Sequence, residues 1–208
     1  MIRSGAVLAL CLSGLLAVSA CGSGKTPDAS AAATSRAPST TAPAAPGGSA
    51  QPVRIGPYTQ VFATPLPANP AQAKVIAGFR EAQTLWEKSD YTWHLAAPAK
   101  EYVTGQALTH LIAAVTASRA HHLVPAGTER FFLTHVSDIT GSTATVTTCD
   151  DGSKVKEENR QTGATYTTPP GQAYIFETWH MVKLSGHWGV TAFSLAIPPS
   201  PRAAPCQP

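Results

Sequence analysis

TGQALTHLIAAVTASRAHHLVPAGTERFFLTHVSDI, residues 104–139, contains the change of hydrophobic period on which the fold turns. In its first half Leu108, Leu111, Ile112 and Val115 recur at three- and four-residue steps, the stripe of an amphipathic helix. Pro125 and Gly127 follow, so this helix is expected to end by His122. From residue 129 the period drops to two. Phe132 and Val136 then fall on one face of a strand, and Phe131, Leu133 and His135 on the other.

Upstream of this switch the pattern is helical. Asn69-Pro70 reads as an N-cap followed by proline at the first helical position, where the missing N–H costs nothing. Val75, Ile76, Phe79, Ala82 and Trp86 then mark an amphipathic helix over 70–88. Ser89-Asp90 is expected to interrupt it, with a short second helix from Tyr91 that Pro98 ends. Downstream, residues 143–149 alternate as a second strand, a polar loop with room for a short strand is expected over 150–171, and 173–184 and 188–197 read as a closing hairpin. Helices first and strands afterwards indicate an α+β fold, with N-terminal helices packed on a curved antiparallel sheet of about four strands.

The two ends of the chain differ in composition from this middle. Of 18 prolines, only Pro98, Pro125, Pro169 and Pro170 fall within residues 71–197. Residues 22–52 are almost wholly Gly, Ser, Thr, Ala and Pro, too poor in apolar surface to offset the entropy of ordering. Met1-Ile2-Arg3-Ser4 is a basic start before a charge-free run from Gly5 to Ala20. That run is shorter than the about 20 apolar residues of a membrane span and fits a secretory signal peptide. It closes on Val18-Ser19-Ala20-Cys21, which resembles the lipobox of bacterial lipoproteins. The resemblance implies removal of residues 1–20 and lipidation of Cys21, with palmitate among the chains. Two or three acyl chains anchor stably where one does not. The expected organisation is a signal peptide over 1–20, a lipidated cysteine and disordered tether over 21–56, and one α+β domain with a proline-rich tail over 57–208.

Charge and cysteines narrow the function classes. The formal net charge is +3, but residues 71–197 contain 10 Lys and Arg against 11 Asp and Glu. The domain is therefore near neutral and offers no basic patch for nucleic acid. Cys11 leaves with the signal and Cys21 takes the lipid, which leaves Cys149 and Cys206 as an expected disulfide in an exported chain.

Candidate chemistry is sparse. No Gly-rich phosphate loop, nucleophile elbow or zinc signature is present, so neither metal nor cofactor is expected. His121 and His122 are adjacent and point about 100° apart on a helix, and Glu177 and His180 face opposite sides of a regular strand. Tyr91, His94, Tyr102, His135, Tyr174 and His180 are the residues that could line a pocket and move protons. Tyr174, Phe176, Trp179, Trp188 and Phe193 place aromatic groups on both faces of the final hairpin, and the segment Val53 to Leu66 is expected to cover the outer one. A homodimer or a protein partner on that face stays open.

The order of elements now supports a comparison. The helix ending in Trp86 and Glu87, the helix start Val103-Thr104-Gly105-Gln106-Ala107-Leu108, the strand Ala144-Thr145-Val146-Thr147-Thr148-Cys149-Asp150-Asp151 and the hairpin from Met181 to Val190 are together similar to a known group. Behind a lipobox and a tether, they resemble the small actinobacterial lipoproteins of the nuclear-transport-factor-2-like, ketosteroid-isomerase-like superfamily. The resemblance covers residues 70–197 and implies a cone-shaped fold with a pocket between sheet and helices. That scaffold serves enzymes and binding modules alike. The expected function is a lipid-anchored, non-catalytic binding or accessory module at the outer face of the cell membrane, taking a small apolar ligand or an envelope protein. A small pocket enzyme of isomerase or dehydratase type, and a structural envelope lipoprotein, are the alternatives.

Overall fold

A computed structural model describes residues 52–208. The stretch read as a signal peptide, Cys21 and residues 22–51 of the expected tether lie outside the described residues. In chain order the elements are β1 (Val53–Ile55), β2 (Tyr58–Phe62), α1 (Pro70–Thr92), α2 (Ala99–Tyr102), α3 (Gly105–His121), β3 (Leu123–Ser137), β4 (Thr143–Asn159), β5 (Thr165–Thr167), β6 (Tyr174–Lys183) and β7 (Trp188–Ala196). A 3₁₀ turn over Pro201–Cys206 closes the chain. Among the described residues no helix is long and apolar enough to cross a membrane.

Asn69 caps α1 as its sequence implies, its Oδ1 accepting from the N–H groups of Ala71 at 2.9 Å and Gln72 at 3.3 Å. The helix does not break at Ser89-Asp90. Ser89 is fully buried and donates its hydroxyl to the Leu85 carbonyl at 2.6 Å, so it satisfies itself inside the helix. The stop comes at Trp93, which takes the left-handed conformation with φ 60°. The short helix α2 then follows Pro98 instead of preceding it. In α3 the buried stripe is Ala107, Leu111, Ala114, Val115 and Ser118, while Ile112 is exposed. Small residues on the stripe let α3 pack closely, and the large Ile112 is left on the outside.

The sheet has seven strands in the order β1-β2-β3-β4-β6-β7, with β5 paired to β4. The meander β3, β4, β6, β7 corresponds to the four expected strands, and three short strands extend it. Two of these come from the segment expected to cover the sheet. Val53 to Leu66 does not lie over a face; β2 pairs in parallel with β3 from Tyr58↔Gly127 to Phe62↔Phe131, and β1 pairs antiparallel with β2. Sheet pairing thus begins at Val53, within the stretch expected to be tether.

Bulges explain why the strand faces differ from simple alternation. Between Phe132↔Cys149 and His135↔Thr147, β3 has one residue more than β4, and Leu133 sits there at φ 50°. Phe131 and Val136 therefore share the core face, and Phe132 and His135 turn away from it. A second bulge falls between Arg130↔Asp151 and Thr128↔Lys154, where Gly152 and Ser153 of β4 oppose one residue of β3. The polar run after Cys149 is therefore not a loop: it bends a strand that continues to Asn159.

The inner face packs on α1 and α3 through Phe62, Phe131, Val146, Trp179, Met181 and Val190, with Phe79 of α1 edge-on to Phe131 at 6.1 Å. The outer face is partly covered by the C-terminal tail. Cys149 and Cys206 are disulfide-bonded with Cα atoms 5.3 Å apart, and Arg202 donates to Thr178 Oγ1 at 3.0 Å while its guanidinium lies 5.5 Å from the Phe176 ring.

Candidate functional site

One turn of α1 after another presents Gln83, Trp86, Glu87 and Asp90 to the sheet, at the i, i+3, i+4, i+7 steps of a single helical stripe. Opposite them, between α1 and the inner sheet face, is a cavity of about 90 Å³. On the same measure a water needs only about 10–15 Å³, so the space takes several water-sized groups. Tyr58 of β2 and Glu129 and Phe131 of β3 form one wall. Asp150, Val155 and Glu157 come from β4, and the bulge at Gly152-Ser153 is what brings residues of opposite parity to the same side. Glu177 and Trp179 of β6 and Phe193 and Leu195 of β7 complete the far wall.

Two kinds of surface meet here. Trp179 stacks on Phe193 at 4.6 Å between centroids, and Trp86 approaches both rings edge-on, at 6.1 Å and 5.5 Å. Set among these rings are six carboxyl groups, Glu87, Asp90, Glu129, Asp150, Glu157 and Glu177, half of the chain's 12. No Lys, Arg or His lines the cavity. Tyr58 donates its hydroxyl to Glu129 Oε2, and Trp179 donates its indole N–H to Glu177 Oε2 at 2.9 Å. Gln60, on the inward face of β2 between Tyr58 and Phe62, is fully buried with neither amide atom hydrogen-bonded.

Burial of carboxyl groups disfavours their charged form. Desolvation pushes the Asp90 carboxyl up to about 6, with Glu157 raising it further and a hydrogen bond with Ser118 opposing the rise. Such a site can do two things chemically. It can hold protons near neutral pH, or accept a positive charge brought in by a ligand. Among the described residues no group of three or more His, Cys, Asp or Glu is placed to hold a metal ion.

The six residues singled out from the sequence lie elsewhere. Tyr91 is half-buried under the guanidinium of Arg160, 4.5 Å from its ring centroid. His94 is exposed with Nδ1 2.8 Å from the Thr92 carbonyl, and Tyr102 packs tilted against His187 with ring centroids 4.3 Å apart. His135 and His180 are exposed on the outer sheet face, and half-buried Tyr174 shares their side of the sheet. The structure brings none of them to the cavity. Aromatic-and-histidine counting missed the carboxylates, although a signal was present. Glu87 and Asp90 sit on the apolar stripe of α1, and Glu129 and Glu177 alternate in phase with Phe131 and Trp179. An acid on a core-facing period is the mark of a buried polar site.

No protein-family pattern matches the chain, and no curated protein matches it in sequence. Solved structures similar to it are ketosteroid-isomerase-like and nuclear-transport-factor-2-like proteins. A ketosteroid isomerase-like protein from Erwinia carotovora atroseptica is 14% identical, covering 62% of this chain and 98% of that one with a TM-score of 0.42. An NTF2-like protein with a cystatin-like fold from Novosphingobium aromaticivorans is 12% identical, covering 64% and 89% with a TM-score of 0.40. An aromatic-ring-hydroxylase-like protein from the same organism is 9% identical, covering 60% and 89% with a TM-score of 0.41.

Proposed function

We propose that this chain is a lipid-anchored binding or accessory module of the cell envelope, without catalysis of its own, belonging to the actinobacterial lipoproteins of the nuclear-transport-factor-2-like superfamily. The observation that carries the binding role is the cavity under α1, where buried polar groups converge on a void. A purely structural lipoprotein would fill that space with side chains. The membrane anchor rests on Val18-Ser19-Ala20-Cys21, and the outward location draws further support from the Cys149–Cys206 disulfide, since such bonds persist in oxidising compartments. The Ala/Ser/Thr/Pro tether then holds the cavity away from the membrane.

The pocket-enzyme reading has one observation in its favour. Asp90, raised to about 6 at the cavity wall, is poised to give and take a proton near neutral pH.

Two measurements test the proposal. Cys21→Ser is expected to move the protein from the membrane fraction to the soluble one, and continued retention in the membrane overturns the anchor. Native mass spectrometry of that soluble form, purified from its own envelope extract, is expected to show a small non-covalent adduct that Trp179→Ala removes. A bare protein with no adduct, recovered from extracts of several growth conditions, counts against the binding role.

A further inference from the structure

We infer that the outer face of the sheet at its β1 edge, carrying Arg54, Arg130, Lys154 and Lys156, docks on the anionic phospholipid headgroups of the bilayer that holds the anchor. The inference rests on the anchored reading for where the domain stands, and adds which way it faces.

Segregation of charge is the first reason. Residues 52–208 contain 12 Lys and Arg against 11 Asp and Glu. Six of those 11 acids line the cavity on the inner side of the sheet, and no Lys or Arg joins them. The rest of the domain therefore carries 12 basic side chains against five acidic ones. The near-neutral sum, which argued against a basic patch, hides two sides of opposite sign.

Strand register gathers four of the 12 on one face. Ile55 and Tyr58 pack in the interior, and Glu129, Phe131, Val155 and Glu157 line the cavity, so alternation turns Arg54, Thr59, Thr128, Arg130, Lys154 and Lys156 outward. Arg54↔Thr59, Thr59↔Thr128 and Thr128↔Lys154 are partners in register, one row straight across β1, β2, β3 and β4. At about 4.8 Å per strand this row is about 14 Å long. Arg130 stands two residues along β3 from it, its guanidinium 5.0 Å from the Phe132 ring centroid, and Lys156 two residues along β4 on the other side. The acids beside them are Asp151, opposite Arg130 in register, and Glu158, 2.8 Å from Lys156. An exposed pair of that kind contributes little and yields readily to a phosphate. Arg54 and Lys154 are exposed, and among the described residues neither is ion-paired.

The path of the chain is the second, independent reason. Residue 52 leads directly into β1, the edge strand that bears Arg54. Only residues 22–52 separate that strand from Cys21, so the anchor delivers the domain to the bilayer beside this patch. Each Lys or Arg held close to an anionic surface adds to the attraction. Tethering makes the contact intramolecular in effect, so a few charges suffice to orient the domain. Docked in this way, the cavity side of the sheet is turned away from the bilayer.

The test uses the lipidated chain reconstituted in vesicles of phosphatidylcholine, alone or mixed with phosphatidylglycerol. An amine-acetylating reagent is applied and each lysine is read by mass spectrometry. Lys154 and Lys156 are expected to react about threefold or more slowly on the mixed vesicles, while Lys74 and Lys88, exposed on α1, react equally on both. Raising sodium chloride from about 0.05 M to about 0.5 M is expected to erase the difference, because salt screens exposed charge. Arg54→Gln combined with Arg130→Gln is expected to return Lys154 to its rate on phosphatidylcholine. Equal rates on the two kinds of vesicle, or slowing of all four lysines alike, overturns the docking face. Inorganic polyphosphate that slows Lys154 where vesicles do not assigns the face to a soluble polyanion and overturns the membrane as its partner. Flotation with the vesicles at high salt reads the anchor separately. A chain that does not float there loses the anchored reading, and its labelling at low salt still decides the face. If the double variant does not fold, the unsubstituted chain carries the test.

Discussion

Trp179 donates its indole N–H to Glu177 at 2.9 Å across two residues of β6, so that a ring and a carboxyl group occupy the cavity wall as one unit. Buried at 5% and 7% exposure, the indole needs an acceptor and the carboxyl a donor. Trp179→Phe keeps a ring against Phe193 but withdraws the donor. It is expected to destabilise the domain by about 1–3 kcal/mol in urea unfolding, the cost of leaving a buried acceptor short.

Asp90 makes stability depend on pH with a sign opposite to that of an ordinary surface aspartate. Its folded pKa is about 6 against 3.8 ordinarily, with Ser118 of α3 and Glu157 of β4 facing it. The folded state therefore binds the proton more tightly than the unfolded one. Its stabilising contribution is fully present below about pH 4 and is lost as pH rises through about 6. Asp90→Asn is expected to remove this slope and raise stability at pH 8 by on the order of 1–3 kcal/mol. Thermal melts of both proteins between pH 4 and 8 read it directly, and parallel curves would refute it.

The tail over the outer sheet face depends on its clasp. Cys149 and Cys206 are 57 residues apart, and closing a loop of that length contributes about 4 kcal/mol in the chain-entropy account. Cys206→Ser is expected to lower the urea midpoint and to free the turn over Pro201–Cys206. Trypsin should then cut after Arg202 many times faster than in the parent, while the cavity end of the domain resists.

Gly78 shows close packing overriding helix propensity. Replacing it with alanine in a solvent-facing helix would gain about 1 kcal/mol. Here an added Cβ would come within 2.3 Å of the Trp188 carbonyl oxygen of β7. Gly78→Ala is therefore expected to destabilise by about 1–3 kcal/mol through overpacking. A rise in melting temperature would show that α1 and β7 can separate without cost.

Much of the layout was legible in the sequence because it follows from local period and local capping. Asn69-Pro70 determined where α1 starts, the shift from steps of three and four to steps of two marked the passage from α3 to β3, and the leftover pair Cys149 and Cys206 indicated the clasp. Illegible were the features that depend on a partner distant in the chain. Val53 to Leu66 looked like a cover because nothing local tells Tyr58–Phe62 that it will pair in parallel with a strand 69 residues downstream. Asp150 to Ser153 looked like a loop because a bulge and a turn share the same polar residues, and only the opposing strand distinguishes them.

By itself, then, the sequence determined the α+β order, the start of α1, the end of α3 and the disulfide pair. It also set the expectation of an exported, lipid-anchored chain. Tertiary structure alone decided the site. Carboxyl groups on α1, β3, β4 and β6 are scattered over 91 positions from Glu87 to Glu177, and each taken singly reads as solvated charge. Burial is a property of what packs around a residue, so their convergence with Trp86, Trp179 and Phe193 on one cavity exists only once the sheet has curved over the helix.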